Sequence, residues 1–544
     1  MQNLTMKIRQ PITIMLFLLG ILGCMFVSIQ ILGAERINIA FISMLAVMFA
    51  IFLLTGSPFR TLLALVISIP LGSTMSIEIG FRIIPAYLLL LLLIFIMVVT
   101  KDFWYTKSPM DLSVFIFLAV CALSLVQSVR IPPPRLNLAE TMRYRGMWFR
   151  SVIQFMLLFF FSLVYFFTVH LCSKNRKRLD ILIKTYLTLA IILSIYGLYQ
   201  IIAVYFRLPF RDITNTLNTG GRGYGNPLAN TSFKYFRVYS VFMEPLGFGH
   251  YLLSVIPLVL PFAVITRDYI DLNNRKWISA KKLMIFIAIF FVCMFFTRSR
   301  GALVSFVFTL MLILVLLRRK NFVRFAGYMF ASLIVVMIFY LLAIRFLGVN
   351  ANILKMLRFG NIVEAFDIEN FNMAMEAGIK GYRSEFGKLI SSQRFIVNFY
   401  LIPQMFSRYP ILGVGLGNFP LHASAILRSR MLYSPVGIWG NMLAETGIIG
   451  LGAFCWMVFT YYRIMIKTLG KVRDTYWEPY IIGFTACFTG FIFHYFFWGA
   501  RLMIPDWLFI GMSMALVNSI NMQINRDKTV NTEHIKLQNQ SQGR

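Results

Sequence analysis

Apolar residues in this chain come in long unbroken runs. They do not recur at every second position, as in a half-buried strand, or at every third to fourth, as in a surface helix. Positions 83–100 and 151–172 contain no Asp, Glu, Lys or Arg. Runs of about 18 or more such residues read as helices that cross a bilayer. The hydropathy pattern predicts about 12 to 14 of them. They fall near 12–32, 37–55, 61–79, 83–100, 112–129, 151–172, 180–205, 239–265, 283–297, 301–317, 325–347, 441–462, 479–498 and 502–521. The expected fold is all-α and polytopic. Lys7 and Arg9 precede the first run as in a signal peptide, but the run is too long and has no small-residue cleavage site, so it reads as a retained first span.

Between the runs, charge is sorted by side. Basic clusters at 174–178, 267–282, 318–320 and 463–473 all fall in loops on the same side as the N-terminus. Positive charge gathers on the cytoplasmic side, so both termini are expected there. One loop disagrees. Residues 131–150 hold three prolines and then Arg135, Arg143, Arg145 and Arg150, yet they land outside. The stretch after the prolines reads as a short interfacial helix, unless its arginines have work on the outer face.

Two outer loops are long. One covers about 206–237 and the other 348–440. Long loops without their own structure are uncommon unless they are functional. The second has helix-like patches and is expected to form a helical subdomain capping a cavity. The linear division is then N-terminal helices through 237, core helices 238–347, the large loop 348–440, C-terminal helices 441–521 and a polar tail 522–544 expected to be disordered.

Composition agrees with a membrane protein. The chain of 544 residues is 59% hydrophobic and 13% charged. The net charge of +31 would point to nucleic acid in a soluble protein. Here it reflects the positive-inside bias and contact with anionic headgroups. Six cysteines lie singly in or beside apolar runs, where they read as small packing residues.

Candidate chemistry lies on the outer side, where arginine outnumbers lysine. Its planar fork grips phosphate in a bidentate way and never loses its charge. Arg237, Arg298, Arg300, Arg383 and Arg394 are candidate ligands for an anionic substrate. Arg298 and Arg300 would face nearly opposite sides of a regular helix, so a break at Gly301 is needed to bring both into one cavity. Glu244 is followed by Pro245 and is expected about one turn inside a span, with His250 further down the same helix. A buried carboxylate there needs a raised pKa or a cationic partner, and either suits a general base. Glu445 lies in the re-entry helix with Asn441 one turn before it, and His422 is the nearest histidine upstream. Glu244, Glu445 and His422 are the candidate proton-transfer groups, and Asn441 is a candidate substrate contact. Gly413, Gly415 and Gly417 lack the strand that a dinucleotide fingerprint requires, and read as a tight turn. His494, Arg501 and Asp506 sit around the last outer turn. The five histidines are far apart in sequence and form no metal-binding spacing, so no cofactor or metal is expected.

Four motifs in order give the chain a resemblance to the O-antigen ligase and polymerase superfamily. They are Arg237-Val238-Tyr239-Ser240 with 242–245; Arg298-Ser299-Arg300-Gly301; Gln393-Arg394 followed by 409–419; and 443–450 with Glu445-Thr446-Gly447. The resemblance covers roughly 230–460. It implies a GT-C-like helical fold and glycan transfer on the outer face of the bacterial cytoplasmic membrane. In such enzymes outer arginines hold the donor diphosphate, a role that Arg237, Arg298, Arg300 and Arg394 would inherit. Ligases of this type carry a histidine late in the large loop. Here 433–437 reads Tyr-Ser-Pro-Val-Gly, which favours a polymerase. The expected partners are an undecaprenyl-diphosphate-linked glycan donor, a glycan acceptor, membrane lipid and a chain-length regulator, with no nucleic acid. The alternatives are a ligase acting on another acceptor and a transporter or flippase of lipid-linked sugars.

Overall fold

A computed structural model describes residues 57–73, 77–78, 82–100, 105–131, 147–206, 208–209, 237–242, 244–266, 268–347, 397–426, 437–499 and 502–542. The predicted spans at 12–32 and 37–55 lie outside the described residues. So do Arg383, Arg394, Arg501 and most of the large loop.

The chain forms two compact units that do not follow its linear order. One takes in Met1–Trp104, Tyr199–Ser232 and Ser240–Glu244; the other holds Tyr105–Leu198, Phe233–Tyr239 and Pro245–Arg544. In the first unit, α1 (Pro58–Ser68) packs on α2 (Pro85–Val99), and β1 (Ile77–Glu78) pairs antiparallel with β2 (Arg82–Ile83). The run predicted at 61–79 is not one span. Its helix stops at Ser68, because Pro70 cannot donate to the ladder and the chain tightens into a 3-10 turn over Pro70–Ser73.

The second unit is helical. In order it comprises α3 (Asp111–Leu123), α4 (Leu125–Arg130), α5 (Met147–Ser173), α6 (Arg176–Tyr205, whose last turns belong to the first unit), α7 (Pro245–Leu253), α8 (Ile256–Ile265), α9 (Ala280–Phe296), α10 (Arg300–Leu316), α11 (Arg319–Leu347), α12 (Ile402–Arg408), α13 (Phe419–Ile426), α14 (Ile438–Val472), α15 (Glu478–His494) and α16 (Ile504–Gln542). A two-stranded hairpin, β3 (Tyr269–Ile270) with β4 (Lys276–Ile278), joins α8 to α9. Among the described residues, seven helical stretches are long and apolar enough to cross a membrane. This is an all-α, multi-pass membrane protein.

Burial sorts the helices. Nearly all of Pro245–Ile265 is buried, so α7 and α8 form the centre. Less than a quarter of the Asn321–Leu342 stretch is buried, and Phe330, Leu333 and Leu341 stand exposed on it. Exposed apolar side chains cost nothing against lipid tails. Close approach at the centre depends on small residues. A Cβ built on Gly483 would lie 3.0 Å from the Cα of Leu258, and one on Gly511 would lie 2.8 Å from the Cβ of Thr168. These contacts seat α15 on α8 and α16 on α5.

On the side carrying the basic clusters, charge is paired. Lys184 Nζ lies 2.6 Å from Asp180 and 2.8 Å from Asp271, while Arg473 reaches the Glu478 carboxylate and the Leu316 carbonyl, both at 2.8 Å. α16 continues through the polar tail to Gln542, where composition predicted disorder. Between Met512 and Gln542 no proline or glycine interrupts it.

Candidate functional site

Three features carry the candidate residues, and the first two meet at the start of α10. The first is the junction between α9 and α10. α9 ends at Phe296, Arg298 adopts a left-handed conformation at φ 48°, and Ser299 caps α10 by accepting from the Ala302 amide. The break thus falls at 297–299, ahead of Gly301. An N-cap serine fits this place because its oxygen satisfies an amide that the first turn leaves without a partner. Arg298 is nearly buried, at 9% exposure, while Arg300 opens α10 half-buried. Arg237 closes the other side: its Nε donates to the Thr297 carbonyl at 2.9 Å and an Nη to the Arg298 carbonyl at 3.3 Å. Its guanidinium therefore caps the C-terminal end of α9, where carbonyls carry partial negative charge.

Glycines bring neighbouring segments against this junction. A Cβ on Gly249 would lie 2.7 Å from that of Ala302, and one on Gly301 would lie 2.6 Å from that of Phe497. α7 and the turn after α15 therefore both touch the first turn of α10.

The second feature lies in the turn after α15 and in α7. The two histidines that sequence placed far apart face each other: His250 Nδ1 lies 3.0 Å from His494 Nδ1, and His250 Nε2 lies 3.1 Å from Asp506 Oδ1. All three side chains are buried. Phe491 and Trp498 pack against the His250 ring with centroids 4.6 and 4.7 Å away.

The third feature joins the glycine turn to the re-entry helix. α14 is broken at Gly447, with φ 66° and ψ −165°. The break frees backbone groups, which the turn satisfies. The amides of Val414 and Gly415 donate to the carbonyls of Ala444 and Glu445 at 2.9 and 3.0 Å, and the Ile448 amide donates to the Pro410 carbonyl at 2.8 Å. Gly413, Gly415 and Gly417 have φ of 66°, 89° and 87°. A Cβ at Gly413 would stand 2.5 Å from the Ala444 carbonyl oxygen, so only glycine permits this approach. Asn418 fastens the turn, its amide nitrogen 3.0 Å from the hydroxyls of both Ser128 and Ser151. Arg150 Nε donates to the Gly417 carbonyl at 2.5 Å. Ile438 ties the start of α14 to the second feature by donating to the Tyr495 carbonyl at 2.9 Å.

The candidate residues divide accordingly. Arg237, Arg298 and Arg300 come together at the junction. Glu445 is fully buried and its Oε1 accepts from the Phe419 amide at 3.2 Å, which places it at the start of α13. Asn441 is fully buried, and neither atom of its amide finds a hydrogen-bond partner among the described residues. His422 lies buried in α13 against Tyr409. Burial and the charge of Arg408 push its imidazole down to about 4, so it is neutral at neutral pH. Glu244 differs from expectation. It is exposed and precedes the helix, because Pro245 takes the first helical position, where its missing N–H costs nothing.

Sequence reading missed the His250–His494–Asp506 contact, although it named all three. It flagged Arg150 as out of place without finding its partner. Among the described residues no group of three His, Cys, Asp or Glu is arranged to hold a metal ion. Comparison of the sequence with known protein families and with curated proteins finds no match.

Proposed function

We propose that this protein is a polysaccharide polymerase of the cytoplasmic membrane. It joins undecaprenyl-diphosphate-linked oligosaccharide repeats into a surface polysaccharide on the outer face. The observation that carries this reading is the α9–α10 junction. A helix N-terminus offers free amides and a positive dipole end, which suits an anion. Arg300 opens its first turn, Arg298 stands just before the capping Ser299, and Arg237 braces the junction from behind. Arginine near apolar spans is costly, on the order of 2.5–3.5 kcal/mol at a helix centre by insertion scales, and is retained where it serves function. A diphosphate leaving group gains negative charge as the glycosidic bond breaks. Guanidiniums held in place before the reaction stabilise that charge without reorganisation. The four-motif resemblance to the O-antigen ligase and polymerase superfamily supports the same reading, and two of its motifs, at Arg237 and at Arg298–Gly301, fall at this junction.

The test is turnover by purified protein with an undecaprenyl-diphosphate oligosaccharide, wild type against Arg298→Ala and Arg300→Ala. A ladder of products from wild type that disappears in either variant is expected. Binding of the lipid-linked oligosaccharide without any product would overturn the reading in favour of a transporter.

A further inference from the structure

Arg300 heads an apolar, open face of α10. Val304, Val307, Met311 and Val315 follow it at spacings of three or four residues, so all lie on one side of the helix. Arg300 and Val304 are half-buried, while Val307, Met311 and Val315 are 48%, 54% and 78% exposed. The opposite side, with Ala302, Ser305, Thr309 and Ile313, is buried. α10 packs on α15, where a Cβ on Gly490 would stand 2.9 Å from the Thr309 hydroxyl. One edge of the open face is aromatic. Phe308 stacks on Phe493 with ring centroids 4.1 Å apart, and exposed Phe496 lies 6.2 Å beyond Phe493. From Arg300 to Val315 the helix rises about 22 Å.

Such a face suits a long apolar chain that ends in an anion. In a bilayer its exposed side chains meet hydrocarbon. Its valines are branched at Cβ and stiff, so holding a chain against them costs little side-chain freedom. The guanidinium at its head supplies charge and a planar fork of donors. α11 gives the contrast. Phe330, Ile334, Ile338 and Leu341 form an exposed apolar row there, and Arg345 lies beyond it in the last turn. Carbonyls at that C-terminal end carry partial negative charge, which opposes an anion. Arg300 stands at an N-terminal end instead, at the junction that Arg298 and Arg237 share.

We propose that the open face of α10 seats the polyprenyl tail of the lipid-linked donor; this rests on the polymerase reading above. The diphosphate lies at the arginine junction, and the tail runs down α10 against Val304, Val307, Met311 and Val315, with Phe308 at its side. The donor enters sideways from the bilayer. Its tail stays in hydrocarbon throughout, so only the head group exchanges water for protein. Arg300 joins the two parts of the site, since it stands both at the junction and at the head of the track. A tail held along one helix also fixes where the diphosphate, and the sugar attached to it, sits over that helix.

Photolabelling tests it. A benzophenone amino acid is placed at Met311 and, in a second variant, at Val315, the more exposed of the two, where a bulky group disturbs the fold least. Ile338 of α11, 52% exposed against 54% for Met311, is the control position. Each full-length variant is held in a nanodisc of phosphatidylglycerol containing undecaprenyl diphosphate, irradiated and weighed by mass spectrometry. The adduct at Met311 and Val315 is expected to be mainly undecaprenyl diphosphate, and that at Ile338 mainly phosphatidylglycerol. Adding Arg300→Ala should cut the undecaprenyl adduct about tenfold or more, as one charge-assisted contact is lost. The same mixture of adducts at every position, or undecaprenyl labelling that Arg300→Ala leaves unchanged, overturns the proposal and makes this face ordinary lipid-facing surface. Undecaprenyl labelling confined to Ile338 overturns it in favour of α11. The two readings fail separately. A product ladder from wild type without undecaprenyl labelling at Met311 or Val315 overturns only the tail track, and labelling there without any ladder overturns only the polymerase.

Discussion

Arg237 donates through Nε to the carbonyl of Thr297 at 2.9 Å, across 60 residues of chain. A residue expected to meet substrate thus also closes the C-terminal end of α9. Hydrogen bonds to charged groups contribute about 1.5–3 kcal/mol each. Arg237→Ala is therefore expected to lower the thermal unfolding midpoint in detergent together with turnover. Arg237→Lys should recover only part of the stability, because one ammonium cannot reproduce a fork that spans two carbonyls.

Arg298 should behave differently. Its left-handed backbone costs about 1–2 kcal/mol for any residue with a Cβ. Arg298→Gly removes that strain with the charge, so the protein should fold as well as wild type or better. Turnover should still fall by about 10²- to 10³-fold, the loss typical of a transition-state charge donor. Unfolding midpoints and single-turnover rates measured on one preparation check both halves.

Glu445 is bound to the Phe419 amide, and glutamine keeps an oxygen that can accept there. Glu445→Gln is expected to retain at least a tenth of wild-type turnover. Glu445→Ala should be less stable by about 1–3 kcal/mol, since the buried amide then loses its acceptor. A complete loss of turnover in a well-folded Glu445→Gln variant would make this carboxylate the base of the transfer.

Gly447 and Gly452 lie one and a half turns apart in α14 and should respond in opposite ways. At Gly447 a Cβ would meet the Leu412 amide nitrogen at 2.7 Å from a backbone with φ 66°, while at Gly452 nothing lies within 4 Å. Gly447→Ala is expected to destabilise strongly by expelling the 410–415 turn. Gly452→Ala should be neutral or raise stability by about 0.5–1 kcal/mol, as expected for alanine in a helix interior. Thermal unfolding of the two single variants decides it.

His422 predicts a pH effect with a definite sign. Its folded pKa is about 4, against about 6.5 when unfolded. Between those values the unfolded chain binds the extra proton, so stability falls as pH drops from about 6.5 to 4 and is level on either side. His422→Gln should flatten that slope in a series of unfolding midpoints. Its turnover at pH 7 should stay within a few fold of wild type, because so acidic an imidazolium is a poor match for a base working near neutrality.

The helices were legible in the sequence wherever a run was long and apolar. Composition alone decides that such a stretch is a helix in lipid, which is why α5, α6 and α11 lie where hydropathy put them. Their punctuation was less legible. Pro245 was placed inside a span and is its first residue, and the break near Arg298 precedes the glycine that was expected to cause it. The histidine chain could not be read at all, since His250 meets partners 244 and 256 residues away and no local pattern encodes such a pairing. Glu445 looked like a free acid in sequence. Only the fold brings the Phe419 amide to it.

α9 and α10 each run for 17 residues on either side of the arginine junction. At about 1.5 Å per residue, each is roughly 25 Å long. The hydrocarbon of a typical bilayer is about 30 Å thick. Short apolar helices draw the surrounding lipid thinner, and the cost rises with every ångström of mismatch. Acyl-chain length therefore sets how near headgroups and interfacial water come to Arg298, which makes membrane thickness itself a control on the charge at this junction.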